Sequence, residues 1–167
     1  MTFHWTLYFC LFLGLWSALV AGVFKAFSEF IMSGLLRTNP AAGIESMQQI
    51  NITVLRTEFV SALISISVFS TAFAGYALFT FEGASAVVIV LAAAVYLPSV
   101  FLVTVLGNVP MNKKLEKMDP HSLRAVDYWN EYGVKWTRLN HLRTLGSIFT
   151  AGLYLIAAIS LIASNQV

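Results

Sequence analysis

Four long apolar runs, at about residues 6–31, 57–79, 83–106 and 144–163, are separated by polar connections. Each is close to the ~20 residues that a helix needs to cross a hydrocarbon core of about 30 Å. The runs are continuous, whereas a membrane barrel would show alternating segments of about ten residues. The pattern predicts an all-α protein, a four-transmembrane-helix bundle forming a single integral membrane domain over residues 1–167. The first run has no basic stretch before it and is too long for a signal peptide, so it is read as the first span.

The connections carry their own helical signals. Asn39 followed by Pro40 is a helix start, and it predicts a short helix leading into the second span. Asp119 and Pro120 repeat the device. After them Leu123, Val126, Trp129 or Asn130, Gly133 and Trp136 fall at helical spacing, which predicts an interfacial amphipathic helix continuous with the fourth span. Pro110 is expected to end the third span and Pro98 to kink it, with Ser99 helping to satisfy the freed backbone. In lipid, helices associate through small residues. The expected interhelical faces are Ala18, Gly22, Ala26 and Ser33 on the first span, and Ser61, Ser65 and Ala72 on the second.

Composition agrees with a membrane protein: 58% of residues are hydrophobic and 11% charged, against about 25% charged in soluble domains. Of ten Lys and Arg, Arg37 and Arg56 lie between spans one and two. Lys113, Lys114, Lys117, Arg124, Lys135, Arg138 and Arg143 lie between or at the ends of spans three and four, and Lys25 is late in span one. By the positive-inside rule both longer connections face the cytoplasm and both termini face out, as in a bacterial inner membrane. The basic residues are accounted for as topology signals, so nucleic acid is not implied. The single cysteine, Cys10, excludes a disulfide framework.

Candidate chemistry gathers at one depth. About twenty residues from the outer ends bring the spans to Lys25, Thr57, Asn108, and His141 or Arg143. Glu29, seven residues beyond Gly22, shares its face and is expected to point inward, with Lys25 four residues before it as a pairing cation. His141 has the ordinary pKa range of a base at neutral pH. Asn108, Asn112 and Asn140 offer amides to a bound oxygen, and Trp136, Trp129 and Tyr132 are either pocket walls or interfacial anchors. Dihaem sites need facing histidines, but His4 is near the outer end and His121 in a connection. A di-iron bundle needs Glu-x-x-His pairs, of which there are none. No cofactor is predicted, and a single metal held by Glu29, His141 and an asparagine stays open.

Read in order, "AGVFKAFSEFIMSGL", "PAAGIESMQQIN", "FLVTVLGNVPMNKKLEKMDP" and "YGVKWTRLNHLRT" resemble the signature blocks of the anthrone oxygenase-like family of small four-helix membrane proteins. The resemblance covers nearly the whole chain and implies a fold of four spans and a monooxygenase activity without an obvious cofactor. Its recurrent positions correspond to Phe27, Ser28 and Glu29, to Gln49 and Asn51, to Asn108, Pro110 and Asn112, and to Trp136, Asn140, His141 and Arg143. Lys25 departs from it, standing where an apolar residue is usual. The activity it implies would use His141 as base, oriented by Glu29, with Arg143 and Asn108 or Asn112 stabilising an oxyanion. Asn140 and Trp136 would complete the contacts to a lipophilic aromatic substrate.

The expected partners are the bilayer and a lipophilic small molecule, with homo-oligomerisation open. The alternative is a noncatalytic protein that binds a lipid, a quinone or a partner subunit. A transporter is disfavoured, since no discontinuous or charged mid-membrane helix supplies a pathway.

Overall fold

The computed structural model describes residues 2–164, with side chains over residues 5–163. No strand occurs among the described residues. α1 (Thr2–Ala26) runs through a π-helical turn, Phe27–Ile31, into α2 (Met32–Leu36); α3 (Pro40–Val54) and α4 (Glu58–Thr80) follow. α5 (Ala84–Tyr96) continues through a π-helical segment, Leu97–Asn108, into α6 (Val109–Glu116), and α7 (Leu123–Ser164) completes the order. Among the described residues four helices, counted through these junctions, are long and apolar enough to cross a membrane: Trp5–Leu36, Glu58–Thr80, Ala84–Glu116 and Leu123–Ala163. They support an integral membrane protein.

α7 is the spine. α1 packs along one side of it, α5 and the Leu97–Asn108 segment along another, while α4 leans on α5 and meets α1 much less. The buried stripe of α1 is Cys10, Leu13, Ser17, Val20 and Phe24, a spacing of three and four that marks one helical face. Three apolar clusters stack along the bundle. One end is filled around Leu13, Phe73 and Tyr154, the middle around Phe24, Ile66 and Tyr96, and the far end around Ile44, Met47, Trp129 and Tyr132. That last cluster ties α3 to α7, and we call its end the basic end.

Local chemistry explains several boundaries. Asn39 Oδ1 accepts from the Ala41 amide at 3.0 Å, capping α3 as expected. Asp119 instead accepts from the His121 amide at 3.0 Å, and the Ser122 hydroxyl accepts from Ala125 at 3.2 Å. α7 thus begins at Leu123, after Pro120 rather than at it. Pro110 does not end the third span. The chain leaves the π-helical segment at Asn108, so Pro110 falls in the first turn of α6, where a missing N–H costs least. Pro98 stands at the start of the π segment, and the Ser99 hydroxyl donates to the Val95 carbonyl at 2.6 Å.

The expected small-residue faces are not the packed ones. Ala18 and Gly22 are exposed, as are Ser61 and Ala72. Lipid is as apolar as a core, so hydropathy does not say which side of a span faces in. The close approach occurs between the third and fourth spans. A Cβ on Gly146 would lie 1.9 Å from Ser99 Oγ and 2.7 Å from Ser99 Cβ. Gly83, in the turn joining the second and third spans, has φ +70° and keeps that turn tight.

Candidate functional site

Just inside the basic end, the face of α7 that carries Trp136, Asn140 and Arg143 turns toward α1. The spacing of four and three keeps the three residues in line. Arg143 is 5% exposed, though it is a full cation in a span. Its Nη2 donates to Asn140 Oδ1 at 2.7 Å, and the guanidinium lies 4.3 Å from the centre of the Phe24 ring and 5.1 Å from that of Trp136. Among the described residues no carboxylate pairs with it, and its Nε has no hydrogen-bond partner.

Magnitudes make this unusual. A charge at a span's centre costs roughly 2.5–3.5 kcal/mol on insertion scales, and less toward the end where Arg143 stands. A desolvated cation–π contact, of which Arg143 makes two, returns about 2 kcal/mol or more, and a charged hydrogen bond about 1.5–3 kcal/mol. The guanidinium is tolerated, with one donor still unmet.

Asn140 holds it in place. Its amino group donates to the Phe24 carbonyl at 2.6 Å and to Ser28 Oγ at 2.7 Å, clamping α7 to the turn where α1 becomes π-helical. Thr144 Oγ1 donates to the Asn140 carbonyl at 2.9 Å. Across from Arg143, Asn112 Oδ1 accepts from both Tyr132 OH and Trp136 Nε1, each at 2.9 Å. This fixes the amide and orients the indole. Arg143, Asn140, Asn112, Trp136, Asn51 and Phe59 are part of the wall of a cavity of about 100 Å³. The Asn51 amino group is buried without a hydrogen-bond partner.

Of the residues singled out in the sequence, the structure therefore brings together Arg143, Asn140, Asn112 and Trp136. Asn108 is adjacent: its amino group donates to the Trp136 carbonyl at 3.3 Å, and its Oδ1, buried, has no partner. It braces the third span against α7 and does not line the cavity. Glu29 and His141 lie elsewhere. Both are exposed and line a groove on the outside of the bundle, where Lys25 Nζ donates to Glu29. At about 100° per residue, His141 is turned some 160° from Arg143 around the helix axis. Glu29 does not point inward, because its reference, Gly22, is on the outer face. Among the described residues no three His, Cys, Asp or Glu side chains come together as a metal site. The side chain of His4 lies outside the described residues.

Sequence reasoning named Asn51 but left it out of the site, and passed over Phe24, Phe59 and Thr144. Asn51 carried a signal. With Ile44 and Met47 it forms a three-and-four spacing on α3, placing an amide on a buried face. Phe24 and Phe59, on different spans, carried none.

Fold and site together define, over the described residues, an all-helical bundle with four membrane-capable helices and a buried cation that no described carboxylate pairs, facing an amide-lined cavity. The model of the anthrone oxygenase family matches residues 55–153, more than half of the chain, and the chain belongs to that family. No curated protein and no solved structure matches it.

Proposed function

We propose that the protein is an oxygenase acting on a planar, lipophilic, anthrone-like substrate held in the Arg143 cavity. The observation that carries this is Arg143 itself, a buried cation with an unmet donor and no carboxylate partner. The ring CH₂ of such a substrate is acidic because its carbanion delocalises onto a phenolate-like oxygen. A fixed guanidinium in a water-poor site favours that anion, as does the amino group of Asn51 or Asn112. The C–H proton leaves, the carbanion's electron pair forms a C–O bond to dioxygen, and protonation with loss of water leaves a carbonyl. The sum is CH₂ + O₂ → C=O + H₂O.

Among the described residues lining the cavity Arg143 is the one ionisable group, so the departing proton goes to a water admitted with the substrate. His141, assigned the base in the sequence reading, opens on the other side of α7 and has the smaller role here. Phe24 and Phe59, ring centres 5.3 Å apart and edge to face, line the cavity from the first and second spans. At about 100 Å³ the cavity is below the ~300 Å³ of ordinary ligand pockets, so a three-ring substrate must part this pair as it arrives from the bilayer.

The test is oxygen uptake and quinone absorbance with an anthrone in purified protein, corrected for autoxidation. Arg143→Met should slow turnover about 100-fold or more. An unchanged rate would sink the reading. The small cavity also favours a second reading, a noncatalytic binder of a smaller phenol or quinone; ligand-dependent Trp136 fluorescence with no oxygen uptake would establish it. In either case we place the basic end in the cytoplasm and both termini outside a bacterial inner membrane, on the Lys and Arg asymmetry. An active periplasmic reporter fused to the C-terminus checks this, and a cytoplasmic signal overturns it.

A further inference from the structure

The groove that takes up Glu29 and His141 is not an isolated dent. Three concavities of about 400, 290 and 230 Å³ follow the seam between the first span and α7 on the outside of the bundle. The first two share Ser28 and His141, and the second and third share Lys25 and Ile148, so they form one trench. Its ends differ in chemistry. At the basic end its wall includes Arg37, Arg138 and Ser33, and also Thr137, whose hydroxyl donates to the Gly133 carbonyl at 2.6 Å. Deeper in the span it is walled by Ala18, Ala21, Gly22, Ile148 and Ala151, with Lys25 where this limb meets the middle of the trench. A Cβ on Gly22 would meet nothing within 4 Å, so this limb is open.

Charge supplies the complementary partner. Glu29 is taken by Lys25, whereas neither Arg37 nor Arg138 makes an ion pair among the described residues. The two arginines come from separate segments, one just past α2 and one on α7, and both are exposed. Two unpaired cations and the Ser33 hydroxyl at headgroup depth open into a trench that passes the Lys25–Glu29 pair and His141 and ends in an apolar limb within the span, an arrangement that matches a phosphate on a glycerolipid whose acyl chain lies inward. We infer that the trench binds one anionic phospholipid, its phosphate against Arg37 and Arg138 and a chain along Gly22 and Ile148. The exposed Ala18 and Gly22 then serve lipid contact, since a larger side chain at either would fill the channel. The site is independent of the oxygenase reading, as it shares no open space with the Arg143 cavity.

The experiment is native mass spectrometry of the detergent-solubilised protein after exposure to mixed micelles of phosphatidylglycerol and phosphatidylcholine. The wild type should retain one phosphatidylglycerol per chain in preference to phosphatidylcholine. Arg37→Gln with Arg138→Gln should weaken retention about 25-fold, roughly fivefold for each charge removed. Gly22→Leu should weaken it without any change of charge. Lys113→Gln with Lys117→Gln removes two charges from the other basic cleft of the same end and should leave retention within about twofold. Equal losses in the two double variants would reduce the effect to a diffuse basic surface and overturn the site. So would equal retention of phosphatidylcholine. Displacement by excess inorganic phosphate, with Gly22→Leu silent, would make it a phosphate site with no lipid. A dimer that Gly22→Leu dissociates, with lipid retention unchanged, would give the trench to a second copy of the chain.

Discussion

The cavity and the trench lie on opposite sides of α7, and the residues that divide them are close neighbours in sequence. Asn140 and Arg143 face the buried cavity, while Arg138 and His141, interleaved with them, face the trench. On the cavity side Asn112 is fixed by Trp136 and Tyr132, Arg143 by Asn140, and Asn140 by the Phe24 carbonyl, while the Asn51 amino group is left unpaired. On the trench side the ionisable groups are exposed, and the contact described is the exposed Lys25–Glu29 pair. Preorganised groups in a water-poor site suit chemistry, whereas exposed cations beside an open channel suit an amphiphile. Both sites carry arginine, but the cavity adds amides and aromatic rings where the trench adds exposed ionisable groups and small residues, and burial separates their capacities further.

That contrast is breakable by substitution. The largest difference should come from Arg143→Met against His141→Ala, assayed as anthrone-dependent oxygen uptake: a loss of about 100-fold or more for the first, and under about threefold for the second if it is no base. The reverse order would return the chemistry to the trench face and to the roles first read from the sequence. Asn140→Ala should come next, at about tenfold in kcat/KM, since one lost charged hydrogen bond of roughly 1.5 kcal/mol frees the guanidinium to wander. The conservative Asn140→Gln should restore little, because the amide must reach Phe24, Ser28 and Arg143 at once.

A stability comparison sharpens the same divide. Gly146→Leu forces a side chain into Ser99 and should cost about 1–3 kcal/mol or prevent assembly, read as a lower unfolding midpoint in mild detergent. Gly22→Leu, opening on the trench, should cost under about 0.5 kcal/mol. Equal effects would mean that the first span is packed on both faces. Smallest of all should be Glu29→Gln. Its pair with Lys25 is about half exposed on both sides, and such i,i+4 pairs contribute a few tenths of a kcal/mol before solvent screening. Turnover should not change, and a loss above tenfold would reinstate Glu29 as a catalytic group.

Much of the fold was legible in the chain. The length and apolarity of four runs require helices that bury their own backbone hydrogen bonds, and no tertiary contact is needed to say so. The α3 cap at Asn39 was equally local. Pro110 was misleading because its effect depends on what precedes it. After a π-helical segment the register offers a place where its N–H is not missed, and nothing in the residues near it announces that segment. The resemblance assigns Trp136, Asn140, His141 and Arg143 to one site, whereas a helix distributes them around its axis.

By itself, the sequence determined the helical class, the number of spans, and the gathering of polar groups toward one end, because all three follow from hydrogen-bond satisfaction and the cost of charge in hydrocarbon. Only the tertiary structure decided which groups meet. Inside a bilayer, apolar side chains gain nothing from facing inward rather than toward lipid, so the rotation of each span is set by close packing, by Gly146 against Ser99 and by the Asn140 clamp. That rotation puts Arg143 in the dark and His141 in the open.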